Sequence, residues 1–268
     1  MKAIQYAMNK LKVILYSVSL NISLLRVFVR FIRAIQDVVL YFFLENIKLD
    51  ISNLTTKDPN INSNRSKKGF EKIKKRLTYS NNTGGINKKD QELLSKVIFD
   101  LSPKKVLEIG THTGISLYTA AISLKKNSII DTVDLYDVNK KEYFTKFKMN
   151  YSPKKIINML KTEVKVNFIQ NSGIEYLKST NKKYDLIFLD ASHRTNKTYK
   201  EIIGAMNCLN KNGIILVHDY HEFNFKQIFW KIFGPKLAIY KLSRNNKLSC
   251  KRLNDTSSIG FIHRKIKK

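Results

Sequence analysis

Two rhythms of apolar residues run along this chain. From about Gly85 onward, short runs rich in β-branched residues alternate with stretches at helical spacing. KKVLEIG, SIIDTVDL, VKVNFIQ, YDLIFLD and GIILVHD are the short runs, each with the near-continuous apolar character of a strand buried on both faces. Helices are expected between them, among them KDQELLSKVIFDL before the first run and TYKEIIGAMNCLN before the last. This alternation predicts an α/β domain with a mostly parallel sheet and helices on both faces. The tail from LAIYKLSRN through SSIGFIHRK has room for two further strands.

Residues 1–50 follow a different pattern. Lys12 to Leu44 is mostly apolar, yet holds no uninterrupted apolar run of the roughly 18–20 residues a spanning helix needs. Arg26, Arg30, Arg33 and Asp37 fall on one narrow helical face, and Val27, Phe28, Phe31, Ile32 and Ile35 cover the remainder. Two arrangements suit this. The helix lies in an anionic membrane interface with its arginines level with the headgroups, or it packs on the following domain or on a second subunit of a homodimer. No small-residue cleavage site follows the apolar stretch, so a removable leader is not expected. Residues 52–68, SNLTTKDPNINSNRSKK, read as a linker. The expected organisation is an amphipathic helical segment at 1–50, a linker and lead-in helix at 51–84, and the α/β domain at 85–268.

Composition adds bounds. With 43% hydrophobic and 26% charged residues among 268, the chain is globular in character. Cys208 and Cys250 make no disulfide framework, which points to a reducing, cytoplasmic setting. The net charge of +28 invites polyanions, but it is scattered in clusters such as RSKKGFEKIKKR and HRKIKK rather than gathered in one stripe. Specific nucleic-acid binding is therefore not expected. An anionic membrane surface contacted through residues 1–50, on the inner face, is the partner the charge suits better.

In a parallel sheet, ligands sit beyond the carboxyl ends of the strands. There the polar residues gather: Glu108 to Ser116, Asp134, Asn171 and Ser172, Asp190 to His193, and His218 to His221. The first cluster, VLEIGTHTGISLYTAA, lacks the Gly-Lys-Ser/Thr of a P-loop, and its two glycines do not have dinucleotide spacing. It reads E-x-G-x-x-x-G-x-S: glycines for a tight turn, then a helix N-terminus suited to a carboxylate.

From INKKDQELLSKVIFDLSPKKVLEIGTHTGIS through YDLIFLDASH and LNKNGIILVHDY to SSIGFIHRK, the sequence resembles the class I S-adenosylmethionine-dependent methyltransferases. Within that class it looks like the catechol and caffeoyl-CoA O-methyltransferases and the bacterial antibiotic and polysaccharide enzymes. The resemblance implies a Rossmann-like sheet, mostly parallel with an antiparallel C-terminal strand. It also implies transfer of a methyl group to an oxygen of a small-molecule or glycan acceptor. Glu108, Gly110, Thr111, Gly114 and Ser116 would hold the methionine portion of S-adenosylmethionine, Asp134 (or Asp137) the ribose, and Asn171 and Ser172 the adenine, with Asp190 also beside the cofactor. Asp190 and Asp219 would bind Mg²⁺ or another divalent cation, and His193 would be the general base. Two positions depart from the catechol-type pattern. Tyr220 stands where a third metal ligand is usual, leaving His218 or His221 as substitutes or the site without a metal, and His193 stands where plant and animal enzymes carry lysine. Two other functions remain in view: nucleic-acid methylation, although LDASH lacks the prolines of many base methylases, and a non-catalytic membrane-surface protein with a degenerate fold.

Overall fold

The computed structural model describes residues 22–77, 84–221 and 233–265. The five runs are strands: β1 (Lys105–Ile109), β2 (Ile129–Asp134), β3 (Lys165–Gln170), β4 (Tyr184–Leu189) and β5 (Leu209–Val217). The tail adds β6 (Leu248–Arg252) and β7 (Gly260–Arg264), while LAIYKLSRN itself forms most of a helix. The sheet order is β3-β2-β1-β4-β5-β7-β6. The first five strands pair in parallel, and β7 runs antiparallel to both its neighbours. The order reverses between β1 and β4, and the cleft opens there.

Helices cover both faces. In chain order they are α1 (Ile22–Phe42), α2 (Asn64–Ile73), α3 (Lys88–Leu101), α4 (Ile115–Ser123), α5 (Lys141–Lys146), α6 (Pro153–Met159), α7 (Gly173–Ser179), α8 (Thr195–Asn207) and α9 (Gly234–Asn245). Because strand side chains alternate, β1 sends Leu107 and Ile109 into one core with Ile202, Met206 and Leu242, and Val106 into the other with Leu93, Val97 and Leu117. Leu107 and Ile109 are fully buried, and truncating either to alanine would cost about 2–5 kcal/mol. Local signals set the helix ends. Asn87 caps α3 by accepting from the Asp90 N–H, and Ser152 caps α6 just ahead of Pro153.

Two expectations about the N-terminal third change. The stretch 52–68 is folded onto the domain rather than free: Leu54 is 1% exposed, Thr55 N–H donates to the Gly213 carbonyl, and Thr55 accepts from Arg264 N–H. Its polar residues serve local turns and the cap of α2, and these turns mimic linker composition. Helix α1 packs against α8 and α9, and its polar side faces the protein. Asp37 Oδ1 lies 3.1 Å from Arg194 Nε and accepts from Thr195 N–H, while Gln36 accepts from Arg194 Nη2. Burial raises the Asp37 carboxyl above its ordinary range in spite of Arg194, and burial lowers Arg194. The Asp37 end of the face expected at headgroup level thus meets Arg194 instead.

Candidate active site

A cavity of about 450 Å³ opens at the carboxyl ends of β1, β2 and β4, a volume suited to a nucleoside-sized ligand. Its floor is the turn after β1. Gly110 has φ 103°, and a Cβ there would stand 2.6 Å from the Asp190 carbonyl oxygen, so only glycine lets β1 and β4 approach this closely. Gly114, φ 75°, starts α4 against Pro153. Asp134 lies across the cavity, its carboxylate accepting from the backbone N–H groups of His112 (2.9 Å) and Tyr136 (3.0 Å). Those two donors fix the carboxylate's direction and leave it lone pairs for further donors. Asp137 binds only its own turn, through Asn139 N–H, and does not line the cavity.

Of the residues expected from the sequence, Gly110, Thr111, Ser116, Asp134, Ser172, Asp190 and His193 line this cavity. Glu108, Gly114 and Asn171 do not. Glu108 sits behind the floor, 3% exposed and bonded to Thr132 Oγ1 at 2.5 Å. Burial pushes its carboxyl up to about 8 against the hydroxyls of Ser116 and Thr132, with the charges of Asp190 and Asp134 adding to the rise. Asn171 contributes its backbone N–H to the Asp134 carbonyl.

Three wall residues were not singled out from the sequence. Thr113 Oγ1 is buried at the cavity wall with no hydrogen-bond partner among the described residues, a polar atom that calls for a ligand. Glu201, on α8, is 4% exposed, and burial raises its carboxyl to about 8, Lys197 opposing and Asp190 reinforcing the shift. Tyr143 bonds to His112 Nδ1 at 3.1 Å. Thr113 could have been taken from its place between the two glycines. Glu201 and Tyr143 lie in amphipathic segments that carry no motif.

Asp190, His193, His218 and Asp219 converge at the ends of β4 and β5. His218 is the hub. Its Nε2 lies 3.2 Å from Asp90 Oδ2, and Ser257 and Ser258 also donate to Asp90. Its Nδ1 is 3.0 Å from Asp190 Oδ1, without the alignment of a hydrogen bond, and 3.6 Å from Asp219 Oδ1, so these contacts are ion pairs. Burial alone would lower the His218 pKa. The carboxylates of Asp190, Asp90 and Asp219 outweigh burial and raise it well above its ordinary value. Asp219 shows the reverse balance. Burial would raise it, but a bond from His221 and the charges of His218 and His193 hold it far below the usual carboxylate range.

This arrangement does not fit a divalent cation. The His218 ring stands against both carboxylates that were expected to bind the metal, 3.0 Å from Asp190 and 3.6 Å from Asp219, and these carboxylates favour its protonated form. Among the described residues, no group of three or more His, Cys, Asp or Glu side chains is arranged to hold a metal ion. The site also brings His193 Nδ1 to 3.3 Å from Asp219 Oδ2, an ion-pair distance. A second, polar cavity of about 310 Å³ adjoins the first at Gly85 and is lined by His218, Asp219, His221, Arg252 and Thr256. The aromatics Phe223, Phe225, Phe229 and Trp230, considered as walls for an acceptor, lie outside the described residues.

Residues 107–220 match the family described as methyltransferase domain. This is a class I methyltransferase fold. The chain shares 27% identity over 123 residues with tapetum-specific methyltransferase 1 of Arabidopsis thaliana, covering 43% of this chain and 46% of that protein. It shares 27% over 176 residues with the polyamine aminopropyltransferase of Methanocaldococcus jannaschii, covering 57% and 55%. The chain thus spans about half the length of the curated relatives it matches. Among solved structures, a Podospora anserina methyltransferase with S-adenosylhomocysteine bound aligns with a TM-score of 0.51 at 15% identity, over 76% of this chain and 89% of that one. A Klebsiella pneumoniae protein designated a candidate O-methyltransferase gives 0.51 at 13%, over 76% and 91%. These likenesses establish the fold. No described helix is long and apolar enough to cross a membrane.

Proposed function

We propose that this protein transfers a methyl group from S-adenosylmethionine to a hydroxyl of a polar, hydroxyl-rich acceptor such as a glycan, with His193 as general base. The observation that carries the reading is the His193–Asp219 pair, placed where the larger cavity meets the polar one.

The larger cavity suits the cofactor. The unpartnered Thr113 hydroxyl and the turn from Gly110 to Ser116 would bind its methionine portion, Asp134 its ribose hydroxyls, and the Ser172 side its adenine. Asp190 and Glu201 give the wall a negative bias that suits a cationic ligand. When bound, the cofactor supplies an electrophilic methyl carbon. The protein's own residues do the rest. With Nδ1 turned towards Asp219 Oδ2 at 3.3 Å, the ring's Nε2 would take the acceptor's proton. Cationic His218 holds Asp190 and Asp219 in fixed positions without a metal ion. The polar lining of the second cavity supports a hydroxylated acceptor over an apolar aromatic one. A polyamine, the substrate class in the archaeal relative's name, is a polycation and suits a chain of net charge +28 poorly.

The test is methyl transfer from radiolabelled S-adenosylmethionine to a panel of simple glycosides, catechols and polyamines. Methyl ethers on glycosides are expected, with turnover that survives EDTA. The His193→Ala variant should fall by about 10²–10⁴-fold while binding S-adenosylhomocysteine as tightly as the parent. Unchanged turnover in that variant refutes the base assignment, and product on catechols or polyamines alone refutes the acceptor class.

A further inference from the structure

We propose that the outer face of α1, continued by Tyr240 of α9, docks this protein on an anionic lipid bilayer. The helix is fixed to the domain by its inner side, where Ile32, Gln36, Asp37 and Tyr41 are buried. Its outer side carries Phe28 (47% exposed), Ile35 (42%), Val38 (37%) and Phe42 (73%), spaced seven, three and four residues apart and so aligned in one stripe. Tyr41 joins this helix to α9. Its ring is 6.0 Å from that of Tyr240, which is 56% exposed, and its hydroxyl accepts from Arg244. An aligned apolar stripe on a helix already packed by its other face needs a cover that the domain does not provide.

Charge selects the cover. Of the basic residues on helices α1 and α9, Arg30 and Arg244 stand exposed, and the two helices hold a single acidic residue. That one is Asp37, turned inward against Arg194. Residues 1–21, outside the described residues, lead directly into α1 and add Lys2, Lys10 and Lys12 with no acid. Apolar and aromatic side chains inserted below flanking lysines and arginines are the composition of an in-plane helix on anionic lipid. A second copy of this chain is the poorer occupant, because each copy carries a net charge of +28. The sequence pattern placed Arg26, Arg30, Arg33 and Asp37 at the headgroups. In the structure the insertion runs through the opposite, apolar side. Asp37 bonds to Arg194, the residue after His193, so a docked surface would lie beside the loop that carries the proposed base.

The experiment is flotation of the full chain with phosphatidylcholine vesicles, with and without a fraction of phosphatidylglycerol, for the parent and for Phe28→Ser and Phe42→Ser. All three proteins are checked for S-adenosylhomocysteine binding by calorimetry and for mass by light scattering. The expected result is partitioning to the phosphatidylglycerol vesicles only, falling about tenfold for each phenylalanine removed, with cofactor-product affinity unchanged. Equal partitioning of parent and variants overturns the docking face, and equal binding to neutral vesicles overturns the anionic requirement. A parent dimer that the serine variants convert to monomer would assign the stripe to a second copy and overturn the proposal.

Discussion

The two ends of the cleft are wired over different distances. Beyond β1 and β2, Thr111 meets Thr132, 21 residues later, and His112 N–H meets Asp134, 22 residues later. One strand–helix–strand unit contains the whole arrangement. Beyond β4 and β5, His218 leans on Asp90, 128 residues earlier, and on Ser258, 40 residues later. Asp90 in turn accepts from Ser257, 167 residues away. The half assigned to the cofactor is a motif that chain geometry assembles locally, whereas the half assigned to proton transfer exists only once α3, β5 and the β6–β7 connection have met. The first should tolerate change elsewhere in the domain, and the second should fail whenever one distant contributor is lost.

The strongest way to break the local half is Gly110→Ala. The residue must keep φ 103° with its new Cβ 2.6 Å from the Asp190 carbonyl, so the turn has to move. Calorimetry with S-adenosylhomocysteine should show affinity reduced by ~100-fold or more, together with a lower Tm. Retained affinity would mean that this turn is not the cofactor's seat.

Next in size is Asp90→Ala, aimed at the distant half. Removing one partner from a buried charged cluster costs about 3–5 kcal/mol, read by urea unfolding. Turnover should collapse while affinity for S-adenosylhomocysteine stays within about twofold. A parallel loss of affinity would show that the two halves are coupled and that the contrast drawn between them is wrong.

The smallest effect is one of pH. Glu201 has its carboxyl raised from the ordinary 4.5 to about 8, so between those values the folded protein holds a proton that the unfolded chain releases. The folded state binds more protons there, and stability falls as pH rises across that window. Glu201→Gln keeps the neutral form, so the Tm difference between this variant and the parent should grow in the variant's favour from pH 5 to pH 8. His218 follows the same sign, its stabilisation being present at low pH and lost as pH rises through its raised pKa. Asp219, held low, stabilises above its ordinary value of 3.8 and is lost only on acidification. A Glu201→Gln curve parallel to the parent's would place that carboxyl in water rather than in the wall.

What could be read directly from the chain follows the same division. The five central strands, the glycine turn and Asp134 all rest on local apolar periodicity and short spacing, and the structure places them as that pattern implies. Metal binding was inferred from Asp190 and Asp219 as a pair. No local pattern marks that His218, next to Asp219 in the chain, turns back against both of them. Residues 52–68 misled for a related reason, since turn-forming polar residues look alike whether their backbone is free or strapped to a sheet edge.

By itself, then, the sequence determined the α/β alternation, the strand ends where chemistry gathers and the shape of the first turn, because each depends on neighbours within one or two elements. Only the tertiary structure decided that Asp90, Ser257 and Ser258 support His218, that His193 pairs with Asp219, and that α1 turns Asp37 inward and its phenylalanines out. Those outcomes depend on which charged groups lose their water together, and that is fixed by packing between elements far apart in the chain.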